Sequence, residues 1–174
     1  MIHVLGIKII DRIKEAGLTQ GVLSRHHEVI ITRLGFHEVT DTVCSREACI
    51  VLHLKDDTRA TAALAADLKE IGGILVRGIS FGDGEKPDYD LTGAPEVLAV
   101  VVKRDPTAIT ELQKILTSFG CNIRTRLGVN EMFFGEPAGL IILELTGDDE
   151  QRLLLEKHLM STGKILTGRM NFGA

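Results

Sequence analysis

Residues 4–35 read VLGIKIIDRIKEAGLTQGVLSRHHEVIITRLG, and residues 97–128 read VLAVVVKRDPTAITELQKILTSFGCNIRTRLG. The two stretches align without a gap and end in the same four residues, Thr-Arg-Leu-Gly. A second block, residues 48–81, aligns without a gap with residues 139–172 and shares ten identical residues with it, among them Asp57 with Asp148 and Gly72 with Gly163. A match of this length and regularity predicts that the chain contains two copies of one unit.

Each copy has the same order of predicted elements, which is clearest in the second copy. Asp105-Pro106 is a typical helix start, and the amphipathic helix that follows ends at Gly120. Asp148 begins a second helix, and Gly163 ends it. The β-rich, apolar segments between these helices predict strands at residues 96–103, 122–128, 139–145 and 165–172, with a loop or hairpin at residues 132–138. The order is therefore βαββαβ.

This order predicts an α+β protein made of two tandem βαββαβ ferredoxin-like domains, each with an antiparallel sheet and both helices on one face. The predicted first repeat spans residues 1–81 and the second spans residues 96–174. Residues 82–95, GDGEKPDYDLTGAP, are rich in Gly, Asp and Pro and are predicted to be a linker.

The third strand of each copy indicates how the sheet is covered. With a period of two, Ile50, Leu52 and Leu54 face the helices, as do their counterparts in the second copy. The opposite face, which includes Val51, is too apolar to lie bare in water. We therefore expect that face to pack on the sister repeat or on another subunit, and we expect a homo-oligomer that assembles through its sheet faces.

Composition excludes several classes of protein. The net charge is −4 and the Lys and Arg residues are scattered, so no direct nucleic-acid partner is expected. Three cysteines without paired spacing predict neither a disulfide framework nor a CxxC motif, which favours a cytoplasmic location. The apolar N-terminus is short and carries Lys8, so it is interpreted as a strand, and no stretch has the roughly 20 apolar residues that a membrane helix needs.

The strand, helix and Gly-x-x-Ile strand of residues 97–127 resemble the opening of ACT-type regulatory domains. Both copies also resemble the ACT-like iron-only hydrogenase system regulators, through Arg33-Leu34-Gly35 and Arg126-Leu127-Gly128. The chain is similar as well to the C-terminal sensor domain of nickel-responsive repressors, although no ribbon-helix-helix arm precedes the first strand here. These resemblances imply tandem ACT-like domains and a regulatory role without a DNA-binding domain.

The residues that recur in both copies are the candidate ligand site. An arginine near a strand end can bind an anion, a glycine permits close approach of a ligand, and an acidic residue can pair with the arginine or with a ligand amine. The residues are Arg33, Gly35 and Glu38 in the first copy and Arg126, Gly128 and Glu131 in the second. The alternative is a turn glycine beside an exposed ion pair.

A second hypothesis is a transition-metal sensor of the nickel type. Imidazole and thiolate suit nickel, zinc or copper, and the first copy holds most of these groups. The candidate ligands are His26, His27 and His37, with Cys44, Cys49 and His53 nearby in the sequence. The alternative is that these residues stabilise a helix end or fill apolar positions.

A third hypothesis is a small enzyme that uses Cys44 or Cys49 with His37. No GxSxG, HExxH, P-loop or dinucleotide motif occurs, so an enzyme is the weaker interpretation. The sequence thus favours a non-enzymatic protein that senses a small-molecule effector, such as a transcriptional regulator without its own DNA-binding domain. No particular cofactor is indicated.

Overall fold

The computed structural model describes residues 1–37, 45–82 and 93–173 of the 174-residue chain. Contacts divide these residues into two compact units, Ile2–Gly78 and Met1 together with the chain from Ile79 onward. Each repeat contains one four-stranded sheet and two helices. Among the described residues, none of the helices has the length and apolar character needed to cross a membrane.

The first repeat contains strands β1 to β4 and helices α1 and α2. In chain order its elements are β1 (Ile2–Ile9), α1 (Arg12–Arg25), β2 (Ile30–Phe36), β3 (Ala48–Leu54), α2 (Thr58–Lys69) and β4 (Ile74–Phe81). A short 3-10 turn, His27–Val29, connects α1 to β2. The strand order across the sheet is β2-β3-β1-β4, so β2 lies at an edge.

The second repeat has the same arrangement. Its elements are β5 (Val97–Lys103), α3 (Pro106–Ser118), β6 (Ile123–Phe133), β7 (Glu136–Leu145), α4 (Asp149–Ser161) and β8 (Ile165–Met170). The strand order is β6-β7-β5-β8, and β5 pairs antiparallel with both β7 and β8. The matching strand orders confirm the predicted α+β architecture of two tandem ferredoxin-like repeats.

Aspartates cap the four helices at their N-termini. The carboxylate of Asp105 accepts hydrogen bonds from the backbone N–H groups of Thr107 and Ala108, and Pro106 is the first residue of α3. Asp148 caps α4 in the same way, as the sequence predicted. Side-chain caps satisfy N–H groups that have no partner within the helix, which explains why these helices begin where they do.

The core of each repeat lies between its sheet and its helices. Ile50, Leu52 and Leu54 all belong to the buried cluster of the first repeat, which confirms the face assigned to β3. Their counterparts on β7 belong to the buried cluster of the second repeat. The other face is also buried, including Val51 and His53 on β3. Its burial agrees with the expectation that this face is covered, but its predicted partner stays a prediction.

The strands of the β6–β7 hairpin are longer than predicted. Residues 129–131 were not assigned to an element and residues 132–138 were expected to form a loop or hairpin, but the two strands pair as far as Phe133 and Glu136. The alternation of exposed and less exposed side chains continues along β6 to its end, and a two-residue turn, Phe134–Gly135, connects the strands. Both turn residues have positive φ, 50° and 77°, as in the type I′ turns that suit twisted hairpins.

Candidate functional site

An arginine on the edge strand of each repeat is hydrogen-bonded to a glutamine on the preceding helix. In the first repeat, Arg33 Nη1 donates to Gln20 Oε1 at 2.6 Å. In the second, Arg126 Nη1 donates to Gln113 Oε1 at 3.2 Å. These contacts are called the Arg–Gln pairs below. Because the four residues occupy matching positions in the two copies, the same contact has formed twice in one chain.

Glycine lies two residues beyond the arginine on each edge strand. Gly35 is within β2 and Gly128 is within β6, so neither is the turn glycine of the alternative interpretation. Neither has a positive φ, and a Cβ added to either would meet no atom within 4 Å. The fold therefore does not require glycine there. Since residues two apart on a strand share a face, each glycine leaves open space beside its arginine.

The guanidinium groups of both Arg–Gln pairs keep their positive charge uncompensated by their partners. Glutamine is neutral, and within the described part of the chain neither Arg33 nor Arg126 forms an ion pair with a carboxylate. Both side chains are exposed. An exposed cation that is oriented by a neutral amide can bind an anion with little competition from an acidic neighbour.

Glu131, the described acidic residue of the predicted site, does not lie with Arg126. Glu131 lies opposite Ala138 in the β6–β7 ladder, and it is an odd number of residues away from Arg126 and Gly128. It therefore faces the other side of the sheet, and its carboxylate accepts a 2.8 Å hydrogen bond from the backbone N–H of Met132. Glu38 lies outside the described residues. The structure thus brings together the predicted arginine and glycine, and adds a glutamine that the sequence-based site left out.

A buried carboxylate lies on the opposite face of the second sheet. Glu144 accepts a hydrogen bond from Thr125 Oγ1, and Arg124 Nη1 lies 3.5 Å from its Oε1. Its counterpart in the first repeat is His53, which is also buried. Thr125 therefore binds the buried Glu144 and does not contact the Arg–Gln pair, although it belongs to the same recurring Thr-Arg-Leu-Gly stretch.

Two histidines of the metal hypothesis, His26 and His27, have other partners. His26 Nε2 lies 2.9 Å from Asp67 Oδ2, and the N–H of His26 is the donor since a carboxylate can only accept. This hydrogen bond is the main cause that lowers the pKa of Asp67, with Arg25 as a second donor. The His27 ring lies 3.1 Å from the Ser24 carbonyl. In residues 1–37, 45–82 and 93–173, no group of three or more His, Cys, Asp or Glu side chains is placed to hold a metal ion.

A cleft lies beside His26, at the end of α1. Its lining is of mixed charge and includes Arg25, Lys55, Glu28 and Asp57. Cys49 is on β3 and does not line this cleft, and Cys44 lies outside the described residues. Among the described residues, this cleft therefore contains no cysteine beside its histidine.

No protein-family model and no curated protein matches the chain. Among solved structures, an uncharacterized protein from Thermotoga maritima is similar over 51% of this chain and 96% of its own, with 27% identity and a TM-score of 0.39. The acetolactate synthase small subunit from the same organism is similar over 99% of both chains, with 10% identity and a TM-score of 0.38. The aspartate kinase regulatory subunit from Thermus thermophilus is similar over 92% of this chain and 91% of its own, with 16% identity and a TM-score of 0.35. With TM-scores below 0.5, these similarities support no argument about this chain. The fold is established by the strand order. The proposal about function rests on the residues described above.

Proposed function

We propose that this chain is a non-enzymatic regulatory protein that binds a small anionic effector at the Arg–Gln pair of each repeat. The observation that carries the proposal is the recurrence of one three-residue arrangement. Glutamine, arginine and an open glycine position occur together on the edge strand and first helix of both repeats. Structural necessity does not account for the glycines, since a side chain would fit at both positions.

The chemistry of the Arg–Gln pair suits a carboxylate or phosphate ligand. A guanidinium has five N–H donors in a planar fork, and the glutamine carbonyl takes one of them. The remaining donors can bind two oxygens of an anion, and charge-assisted bonds of this kind are about twice as strong as neutral ones. The open space beside Gly35 and Gly128 admits the ligand close to the strand backbone.

Such a protein would exert its regulatory effect by binding another protein. The net charge of −4 and the scattered basic residues do not suit direct binding to a phosphate backbone. We propose that a transcriptional or metabolic regulator is the partner, that both act in the cytoplasm, and that the chain self-associates. Light scattering after size-exclusion chromatography tests the last point, and a monomer at micromolar concentration would contradict it.

Calorimetric titration with inorganic phosphate and with a tricarboxylate tests the binding site and distinguishes the two kinds of anion. We expect binding to the native chain, weaker binding to Arg33→Met and to Arg126→Met, and none to the double variant. Arg59→Met, which removes an exposed arginine of α2, is the matched control and should bind like the native chain. Equal binding by the double variant would show that the Arg–Gln pairs are not the site.

A further inference from the structure

A buried ion pair links α4 and β8 in the second repeat. Arg169 Nε lies 3.2 Å from Glu156 Oε1, and both side chains are almost completely buried, at 3% and 6% exposure. Arg169 pairs with Leu98 in the β5–β8 ladder, so it faces the helices and the apolar core. The corresponding positions of the first repeat are Ala65 and Gly78. The fold therefore forms without this pair, and the charges belong to the second repeat alone.

Two arginines of the second repeat hold the backbone that leads into β5. Arg169 Nη2 donates to the carbonyl of Gly93 at 2.7 Å, and Arg152 Nη1 donates to the carbonyl of Pro95 at 3.0 Å. Ala94, between them, is only 5% exposed. Gly93 has a φ of 71°, and a Cβ there would come within 2.3 Å of Asn171 Nδ2. Residues 93–95 are thus closely fitted to the second repeat.

Stability alone does not explain the buried charges. Removing an arginine and a glutamate from water costs several kcal/mol per ion, and apolar residues of similar volume often give equal or greater stability. The pair does, however, place one guanidinium where it can bind both a carboxylate and a main-chain carbonyl. An apolar residue at position 169 could not hold Gly93. Holding the chain segment is what the charged pair adds.

We propose that Arg152 and Arg169 form a clamp that fixes residues 93–95 to the second repeat, and that Glu156 keeps Arg169 in the clamping position. Because only two side-chain donors hold the two carbonyls, the segment can be released while the core of the repeat remains folded. The clamp is independent of the Arg–Gln pairs. Residues 93–95, at the end of the connection between the repeats, are thus held in place, and their release depends on Arg152, Arg169 and Glu156.

The accessibility of position 94 tests the clamp in the full-length chain. A single thiol is introduced by Ala94→Cys in a background with Cys44→Ser, Cys49→Ala and Cys121→Ser, and its reaction with a disulfide reagent is followed. We expect slow labelling in this parent protein. Replacing the ion pair by Glu156→Met with Arg169→Met should speed labelling about tenfold or more, because a charged hydrogen bond is worth roughly 1.5–3 kcal/mol. Circular dichroism should show the same secondary structure.

Arg169→Lys covers the case in which the double variant fails to fold. A lysine keeps a positive charge beside Glu156, but it is a compact point charge without the guanidinium fork that spans Glu156 and the Gly93 carbonyl, so labelling should again become faster. Arg104→Met, an exposed change in the same repeat, should leave the rate unchanged. Rapid labelling of the parent overturns the clamp. So does native-like protection in a folded variant that lacks Arg152 and the Glu156–Arg169 pair.

Discussion

Arg33 on β2 donates a 2.6 Å hydrogen bond to Gln20 on α1, and the matching residues of the second repeat make the same contact. A carboxylate in the place of Gln20 would neutralise the guanidinium, whereas an amide orients it and leaves its charge available. The partner of Arg33 is therefore as informative about function as the arginine itself.

Gln113→Leu should weaken anion binding at the second repeat, since the guanidinium of Arg126 loses its fixed orientation. Stability should change by less than about 0.5 kcal/mol, because the contact is exposed. Calorimetric titration with phosphate and urea denaturation measure the two effects. Gln151→Leu, on an exposed position of α4, is the control. A large loss of stability in Gln113→Leu would mean that the pair is structural.

Gly128→Ala should stabilise the protein by about 0.5–1 kcal/mol and at the same time weaken anion binding. The new methyl group meets no atom within 4 Å and φ is not positive, so only the conformational freedom of the unfolded chain is reduced. The same methyl group occupies the open space beside Arg126. Gly35→Ala should behave alike in the first repeat. Urea denaturation and calorimetry would contradict this interpretation if both properties stayed at native values.

Gly168→Ala should destabilise the protein, in contrast to Gly128→Ala. Its Cβ would lie 2.3 Å from Ile79 Cγ2 and 3.1 Å from Phe81 Cζ, and both of these side chains are buried. Overpacking of this kind lowers the free energy of unfolding by about 1–3 kcal/mol. Gly128→Ala is the matched control for the loss of a strand glycine. Equal stability of the two variants in urea would show that the packing at Gly168 is looser than the structure indicates.

Asp67 should make stability depend on pH in the acid range. Hydrogen bonds from His26 and Arg25 lower the pKa of Asp67 in the folded protein. Its contribution is therefore present above the unfolded pKa, about 3.9, and is lost as pH falls through the lower folded pKa. Asp67→Asn should be less stable than the native chain at pH 6, and this difference should close toward pH 2. Glu111→Gln serves as the control, and a difference that does not vary with pH would exclude the effect.

Phe134→Asn should stabilise the β6–β7 hairpin. Phe134 has a φ of 50°, a left-handed conformation that costs about 1–2 kcal/mol for most residues but suits asparagine before glycine. Its side chain is 49% exposed, so little burial is lost on substitution. Thermal denaturation should show a gain of about 1 kcal/mol, with Met132→Asn as a neutral control. A less stable Phe134→Asn would mean that the edge contact of Phe134 with Phe133 outweighs the strain.

The fold could be predicted because the same βαββαβ pattern occurs twice in the sequence. The helix starts at Asp105 and Asp148 and the inward face of β3 follow from local capping and from the period of two, which a sequence displays directly. The sequence predicts a loop or hairpin at residues 132–138, but the full length of the paired strands was not predicted, since the turn, Phe-Gly, lacks the usual Asn-Gly or Asp-Gly signal. A strained turn residue is dictated by the strands around it and not by its own preference.

The candidate site was predicted only in part. Arg33 and Gly35 were singled out because they recur, yet Gln20 recurs as well and was passed over, since it lies 13 residues before Arg33 on a different element. Pairing across elements depends on how a helix packs on a sheet. Glu131, which the sequence groups with Arg126 and Gly128, lies on the other face of β6, as the parity of strand positions already indicates.

The buried pair of Glu156 and Arg169 also constrains the history of the chain. In an ancestor whose repeats were encoded as one short gene, every copy would have carried the same residues, so a charge gained at one site would have been gained at all of them. A glutamate and an arginine in one repeat, with alanine and glycine at the corresponding places in the other, require separate inheritance of the two halves. The difference between the two copies at these positions therefore arose after the duplication that produced them.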